Sequence, residues 1–220
     1  MLSERYKDAM LFAARLHDGQ MRKGTEVAYL SHLMSVSSLV MENGGNEAEA
    51  IAALLHDALE DQGDDYQSEY LSEPRSGRTA LKRDLELRYG RRVVEIVRAC
   101  TDDEDFAKPA KGARGSTADW KARKTAYLRR LRRKKDAGML RVSCADKLHN
   151  ARSILIDYEE QGEATWQRFR ARTKANQEWY YGELAGIYEK KAASLADGGL
   201  CRLSKEFSRV VARISELSFA

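Results

Sequence analysis

The 220-residue chain is predicted to be all-α, a single helical bundle of about eight to ten helices. Apolar residues recur every three or four positions along most of the chain, which is the period of one helix face. The sequence contains only two prolines, and no segment alternates apolar and polar residues over the length of a strand. Hydrophobic residues make up 43% of the chain, which is enough for a sizeable core.

Composition limits the location and the partners of the protein. The formal net charge of +4 permits an anionic partner without requiring nucleic acid. The three cysteines are odd in number and widely spaced, which is typical of reduced thiols rather than of a disulfide framework. No apolar run approaches the roughly 18 residues of a membrane span, and the N-terminus has no secretory signal. We therefore expect a cytoplasmic protein with no membrane partner.

The first two predicted helices flank a polar loop. The first covers Ser3 to His17, and the second covers Ser31 to Glu42 with Ser31 as its N-cap, which places His32 in the first turn. The loop between them carries Arg22 next to Lys23. Because guanidinium groups both stack and form forked hydrogen bonds, this pair is either a solvated loop or a clamp for a planar or anionic ligand.

The stretch Ala52 to Gln62 is predicted to be an amphipathic helix with an unusual polar side. Its apolar face consists of Ile51, Leu54, Leu55, Ala58 and Leu59. The opposite side carries His56, Asp57 and Glu60, with Asp61 at its border. Ionisable groups beside a core are costly unless they are paired or bind a metal. The polar side is therefore either a wetted surface or part of a site.

The later part of the chain continues the helical pattern. A long polar loop at 62–78 precedes helices at 79–89 and 91–99, and a second loop spans 108–116. Thr117 to Lys135 is a basic helix, whose end is either a solvated helix terminus or a wall for an anionic ligand. From about residue 162 to 218 we expect two more helices, which pack on the core of a single domain spanning 1–220.

The helix Met139 to Tyr158 is the second informative segment. Its apolar face consists of Leu140, Cys144, Leu148, Ala151 and Leu155. Asp146, Asn150 and Ser153 form a separate stripe that resembles a site wall. Together with Asp146, the residues His32, His56 and Asp57 supply two imidazoles and two carboxylates, a set suited to manganese, iron or zinc. Spacing alone does not bring these distant residues together.

Several short motifs together resemble one family. They are RKG at 22–24, Tyr29 three residues before His32, LLHDALED at 54–61, YG at 89–90, TD at 101–102 and ADKLHN at 145–150. This set is similar to the HD-domain phosphohydrolases, and in particular to the hydrolase domain of the stringent-response enzymes. The resemblance covers roughly residues 5 to 155. The chain length points to the stand-alone form, the small alarmone hydrolases, which remove the 3′-pyrophosphate from guanosine tetra- or pentaphosphate.

The resemblance implies a role for each matching residue. One metal ion, usually manganese in this family, would be held by His32, His56, Asp57 and Asp146; Fe²⁺, Zn²⁺ and Mg²⁺ are the alternatives. Glu60 and Asp61 would position and activate the attacking water. The substrate would be bound by Arg22 and Lys23 at the guanine and by Asn150 and Ser153 at the sugar and phosphate. Two departures are Ala28, where the family usually has proline, and the longer loop at 62–78.

Two other functions remain open at this point. The first is a phosphatase of the same chemistry acting on another nucleotide, such as the 2′-phosphate of NADPH. The second is a non-catalytic helical module that binds nucleotide or nucleic acid through the basic stretch Arg129 to Lys135. An intact ligand set with an acidic pair argues against the second function, so nucleic acid is not the expected partner. His17 and His149 are interpreted as structural, and the sequence permits a homo-oligomer.

Overall fold

The computed structural model describes residues 2–68, 77–101, 116–169 and 173–217. Within these ranges the regular secondary structure is helical, apart from isolated bridges such as the antiparallel one between Met21 and Ala28. The predicted all-α class is therefore confirmed, with ten α-helices in the described ranges. The chain divides into two compact units, Met1–Glu104 and Asp105–Ala220. The single domain spanning 1–220 stays a prediction, and each unit is described by itself.

The first unit contains six helices, with α3 at its centre. Their bounds are Glu4–Leu16 (α1), Leu30–Glu42 (α2), Glu47–Leu54 (α3), Ala58–Asp61 (α4), Gly77–Tyr89 (α5) and Arg91–Cys100 (α6). Helix α3 contacts α1, α2 and α6, so it forms the centre of this unit. Ser37 links three of these helices, because its hydroxyl donates to the Ala50 carbonyl over 2.9 Å and lies 2.9 Å from the Tyr6 hydroxyl.

Side-chain N-caps begin two helices of this unit, whereas the N-cap residues of α2, α4 and α6 make no side-chain cap hydrogen bond. Ser3 and Asn46 cap α1 and α3 by accepting backbone N–H groups with their side chains. The predicted N-cap at Ser31 is wrong. Helix α2 begins at Leu30 after Tyr29, and the Ser31 N–H already donates to the carbonyl of Ala28. The turn starts two residues earlier than the capping rule predicts, although His32 still lies in the first turn.

The predicted continuous helix from Ala52 to Gln62 is also wrong. Helix α3 ends at Leu54, α4 begins at Ala58, and the three residues between them form a turn. The imidazole Nδ1 of His56 lies 2.8 Å from the Ala53 carbonyl, which in a continuing helix would accept from the N–H of Asp57. The predicted apolar face is nevertheless confirmed, since all five of its residues are buried.

The second unit is organised around a long helix. Its helices are Thr117–Arg133 (α7), Ala137–Gln161 (α8), Lys174–Leu195 (α9) and Gly198–Glu216 (α10), with a 3₁₀ helix at Gly162–Arg168. Helix α8 contacts both α9 and α10. The buried hydroxyl of Ser143 on α8 lies 2.6 Å from the hydroxyls of both Tyr127 and Tyr188, so α7, α8 and α9 share one hydrogen-bonded chain.

A partly buried ion pair links α8 to the start of α10. Arg141 donates to the carboxylate of Asp197 over 2.7 Å, and Asp197 also accepts the N–H of Leu200 as the N-cap of α10. Burial raises the pKa of Asp197, but the hydrogen bonds from Leu200, Arg141 and Gly199 and the charge of Arg141 together leave the pKa below its ordinary value. The same carboxylate therefore serves as a helix cap and as an ion-pair partner.

Other sequence predictions concern segments beyond these two cores. Residues 69–76 and 102–115 contain parts of both predicted loops and Asp102 of the TD motif, and they lie outside the described residues. The basic helix ends at Arg133 rather than at Lys135, and Arg132 forms an ion pair with Glu183 on α9. Across the described ranges, no helix combines the length and the hydropathy that crossing a bilayer would require.

Candidate metal centre

Three of the predicted metal ligands meet in the first unit. His32 comes from the first turn of α2, and His56 and Asp57 come from the turn between α3 and α4. One ligand atom from each of the three lies within 4.8 Å of the others. Asp57 Oδ2 lies 2.9 Å from His56 Nε2 and 3.8 Å from His32 Nε2. The two imidazole rings are buried and meet edge to face at 5.1 Å.

The break between α3 and α4 makes this arrangement geometrically accessible. Neighbouring residues on a regular helix point about 100° apart around the helix axis. Leu55 and Asp57 instead have ψ values of 6° and −3°, close to the bridge region of backbone space. The turn brings the His56 ring and the Asp57 carboxylate together on the side that faces His32.

The donor set fits a divalent metal ion. The Ala53 carbonyl can only accept, so the hydrogen of the neutral His56 ring lies on Nδ1 and its Nε2 lone pair faces Asp57 Oδ2. A proton on Nε2 or a metal ion beside both atoms would each offset the repulsion between these two acceptors, which lie 2.9 Å apart. Histidines that bind metals commonly donate their other ring N–H to a carbonyl in this way. His32, His56 and Asp57 are therefore suited to hold such an ion.

Tyr29 is a functional candidate to which the sequence motifs assign no role. Its hydroxyl donates to Asp57 Oδ2 over 2.5 Å, and its ring stacks on His17 at 5.4 Å and meets the edge of His32 at 5.5 Å. Hydrogen bonds from outside the ligand set orient the ligands and adjust their basicity. The signal in the sequence was its position three residues before His32, but its partner Asp57 lies 28 residues further along the chain.

Arg22 and Lys23 lie in the loop between α1 and α2. The guanidinium carbon of Arg22 is 6.0 Å from the centroid of the Tyr29 ring, and Lys23 is exposed. Backbone bonds close this loop, because the Arg22 N–H donates to Val27 over 2.8 Å and the Tyr29 N–H donates to Gln20 over 2.9 Å. Arg22 is thus held beside the residue that supports Asp57.

The acidic pair lies on the short helix that follows the His56–Asp57 turn. Glu60 is half-buried and Asp61 is exposed. Asp61 Oδ2 accepts a hydrogen bond from the side-chain amide of Gln20 over 2.8 Å. The structure therefore places both predicted catalytic residues within one turn of two of the metal-ligand candidates. Their catalytic role stays a prediction.

His17 belongs to the same surroundings. Its ring is 3% exposed, and its Nδ1 lies 2.8 Å from the amide oxygen of Gln20. Burial lowers the pKa of His17 below 6.5, and this effect outweighs the opposing influence of the Gln20 hydrogen bond and of the Asp57 charge. The ring is consequently neutral at neutral pH, with a single N–H.

The remaining predicted site residues belong to the second unit. Asp146 on α8 is 3% exposed, and its two carboxylate oxygens each lie 2.6 Å from a donor, Lys147 Nζ on one side and Asn150 Nδ2 on the other. The predicted stripe thus brings Asp146 and Asn150 into contact. Ser153 instead donates its hydroxyl to the His149 carbonyl over 3.1 Å. The metal-binding role of Asp146 and the substrate-binding roles of Asn150 and Ser153 stay predictions.

Curated relatives of the chain are enzymes of guanosine polyphosphate metabolism. A GTP pyrophosphokinase of Myxococcus xanthus is 26% identical over 67% of this chain and 17% of its own length. The guanosine-3′,5′-bis(diphosphate) 3′-pyrophosphohydrolase MESH1 of Xenopus tropicalis is 32% identical over 46% of this chain and 49% of its own length. A probable enzyme of the same name from Synechocystis is 30% identical over 66% of this chain and 16% of its own length. The chain therefore spans half or less of the length of these relatives.

Two solved structures have a fold similar to that of this chain. One, described as a metazoan orthologue of SpoT that hydrolyses ppGpp, has a TM-score of 0.65 at 20% identity over 99% of both chains. Another, lmo0812 of Listeria monocytogenes, has a TM-score of 0.62 at 21% identity over 84% of this chain and 99% of its own. At these identities the likeness concerns the fold alone. The family model described as the HD domain matches residues 9–175, which is most of the sequence, and the chain therefore belongs to the HD-domain family.

Proposed function

We propose that this protein hydrolyses the 3′-pyrophosphate of guanosine tetra- and pentaphosphate (ppGpp and pppGpp), yielding GDP or GTP and pyrophosphate. The observation that carries this proposal is the convergence of His32, His56 and Asp57 one turn before an acidic pair. The relatives from Xenopus tropicalis and Synechocystis, whose names state this activity, support the choice of substrate. The small nucleotide is the partner that we propose for the site.

The metal ion would be held by His32, His56 and Asp57, and we propose Asp146 as the fourth ligand. Manganese is the proposed ion, with iron, zinc and magnesium as the alternatives to be measured, because a set of two imidazoles and two carboxylates is borderline to hard. When bound, such an ion polarises a phosphoryl oxygen and lowers the pKa of a coordinated water molecule.

The residues of the chain would divide the remaining work. Glu60 takes a proton from the attacking water, and Asp61 orients that water. The water oxygen bonds to the phosphorus attached to the 3′-oxygen of the ribose, the bond between that phosphorus and the 3′-oxygen breaks, and the 3′-oxygen is protonated. Arg22 stacks on the guanine, and Lys23 contributes positive charge at the same loop. Asn150 and Ser153 contact the sugar and phosphate.

The state of the cysteines and the proposed substrate bear on the cellular location. Cys100, Cys144 and Cys201 are all described, and none of them forms a disulfide with another. Reduced thiols and a nucleotide substrate are typical of the cytoplasm, which is the location that we propose. Light scattering of the purified protein would show whether it forms a homo-oligomer.

The test follows pyrophosphate release from ppGpp by the metal-loaded protein. We expect turnover with manganese and its loss in Glu60→Gln, which keeps the shape of the side chain but cannot accept a proton at neutral pH. Parallel assays offer NADPH and nucleoside 5′-phosphates. Faster turnover of one of these would assign the chain to the alternative phosphatase function. No turnover of any nucleotide would favour a non-catalytic binding module.

A further inference from the structure

Gln20 joins a buried histidine to the proposed water-orienting carboxylate. Its amide oxygen lies 2.8 Å from His17 Nδ1 and accepts from Gln62 Nε2 over 2.5 Å. Its amide nitrogen donates to Asp61 Oδ2 over 2.8 Å. One side-chain amide therefore makes three hydrogen bonds, to residues that come from the end of α1 and from α4 and its C-cap. Gln20 belongs to none of the sequence motifs, and His17 was expected to be structural.

The direction of each hydrogen bond is fixed by the chemistry of the groups. An ionised carboxylate only accepts, so Gln20 presents its NH₂ to Asp61 and its oxygen to the other two partners. His17 must then carry its hydrogen on Nδ1, which leaves a lone pair on Nε2. Among the described residues, no donor lies within hydrogen-bond distance of that buried Nε2. A neutral ring with this single tautomer agrees with the lowered pKa of His17.

We infer that Gln20 and His17 are positioning residues, which hold Asp61 in the orientation that water activation requires. This inference rests on the proposed hydrolysis. Asp61 is exposed, and a hydrogen bond at an exposed site adds little to the stability of the fold. The buried His17 ring, fixed by stacking on Tyr29, sets the Gln20 oxygen, and the Gln20 amide then sets the direction of the carboxylate. Pre-organisation of this kind is how residues outside the reacting groups contribute to rate.

The first experiment removes or inverts the donor at Gln20. Gln20→Leu is expected to lower kcat about tenfold with KM changed by less than about twofold, because one hydrogen bond to a charged group is lost. Gln20→Glu is expected to be more impaired at neutral pH, because the introduced carboxylate repels Asp61. On acidification the introduced carboxyl protonates and can donate to Asp61, so the ratio of its kcat to that of wild type rises. A purely structural glutamine would not produce this pH profile.

The second experiment separates the two nitrogens of His17. The side-chain nitrogen of asparagine can take the place of Nδ1, so His17→Asn is expected to keep kcat within about twofold of wild type. His17→Phe keeps a ring against Tyr29 but has no donor, and kcat is expected to fall about fivefold. Equal kcat values for the two variants would contradict a role for the Nδ1 hydrogen bond. Melting temperatures measured alongside show whether either variant loses stability.

An NMR measurement keeps the inference testable apart from turnover. The side-chain amide resonances of Gln20, assigned by their loss in Gln20→Leu, are expected to shift in both Asp61→Ala and His17→Phe. Resonances that stay in place in both variants would overturn the inference, even if no substrate were turned over. Gln161→Leu, at the exposed end of α8, is the matched control and should leave kcat and these resonances unchanged. Wild-type inactivity towards ppGpp, by contrast, would count against the proposed function alone.

Discussion

In the first unit two of the predicted metal ligands lie where a helix is interrupted. In the second unit the predicted ligand Asp146 lies on an uninterrupted helix of 25 residues. His56 and Asp57 are sequence neighbours that meet in the turn between the end of α3 and the start of α4. Asp146 and Asn150 are four residues apart and meet because a regular helix brings such positions together. The first arrangement depends on tertiary contacts, and the second depends on local geometry.

This difference indicates which arrangement is the more sensitive to its surroundings. Asp57 accepts a hydrogen bond from Tyr29, which lies 28 residues earlier in the chain. Packing between elements therefore helps to determine where this carboxylate lies. Asp146 is oriented by Lys147 and Asn150, which belong to its own helix. Substitutions around the turn should therefore disturb metal binding over a wider radius than substitutions around α8.

The largest expected effect comes from deleting a carboxylate in each region. Asp57→Ala should abolish manganese binding and lower pyrophosphate release by more than about a hundredfold, since even partners outside the ligand set cost 10 to 100 fold. Asp146→Ala should match this loss if it supplies the fourth ligand. Metal content by mass spectrometry and turnover measure both. Full manganese content in Asp146→Ala would restrict the ligand set to the first unit.

A glycine substitution compares the backbones of the two units. A Cβ on Gly63 would lie 2.5 Å from Arg78 Cγ and 2.6 Å from the Leu59 carbonyl, so α4 would have to shift. We expect Gly63→Ala to reduce the free energy of unfolding by about 2 kcal/mol. Gly182 on α9 has open space around its Cβ position, and Gly182→Ala should add about 0.5–1 kcal/mol. Urea denaturation measures both, and a shift of the same sign would contradict the comparison.

A smaller effect is expected from the hydroxyl that supports Asp57. Tyr29→Phe keeps the ring that contacts His17 and His32 but removes the donor, and manganese affinity should fall about tenfold. Isothermal titration calorimetry gives the affinity. Tyr6→Phe is the control, because the Tyr6 hydroxyl lies 2.9 Å from Ser37 and not beside a ligand candidate. Equal affinity in Tyr29→Phe and wild type would remove Tyr29 from the metal centre.

The smallest effect is the pH dependence contributed by His17. The folded ring has a pKa below 6.5, so beneath pH 6.5 the unfolded chain binds a proton that the folded chain does not. The contribution of His17 is complete above pH 6.5, and stability falls as the pH drops, by at most about 1.4 kcal/mol per pH unit. His17→Asn should show a shallower slope in the free energy of unfolding over this range. Superimposable slopes would show that His17 titrates alike in both states.

Local rules predicted the parts of this molecule that depend on helical spacing. The apolar positions of the α3–α4 stretch and of α8 were predicted from period alone, and all of them are buried. The break at Leu55 to Asp57 could not be predicted, because these residues include neither proline nor glycine and the apolar spacing continues through them. The break coincides with a hydrogen bond from the His56 side chain to the Ala53 carbonyl, an interaction that helix propensities do not include.

The contacts of the supporting residues could not be predicted from the sequence for a similar reason. Gln20 and Asp61 are 41 residues apart, and a single sequence carries no signal that pairs them. Arg22 and Tyr29 likewise meet because a backbone bridge between Met21 and Ala28 closes their loop. The residue types were visible in the motifs, whereas their partners required the packed structure.

Ser37 has a consequence for the thermodynamics of the first unit. Because its hydroxyl donates to the Ala50 carbonyl, the Tyr6 hydroxyl must be the donor in the second bond, so α1, α2 and α3 are joined at one buried atom. The helices that carry His32 and precede His56 therefore cannot separate without breaking this junction. An ion that binds between them only in the folded unit adds its binding free energy to the free energy of unfolding of that unit. Chelation should accordingly lower the melting temperature of Met1–Glu104 as a single transition.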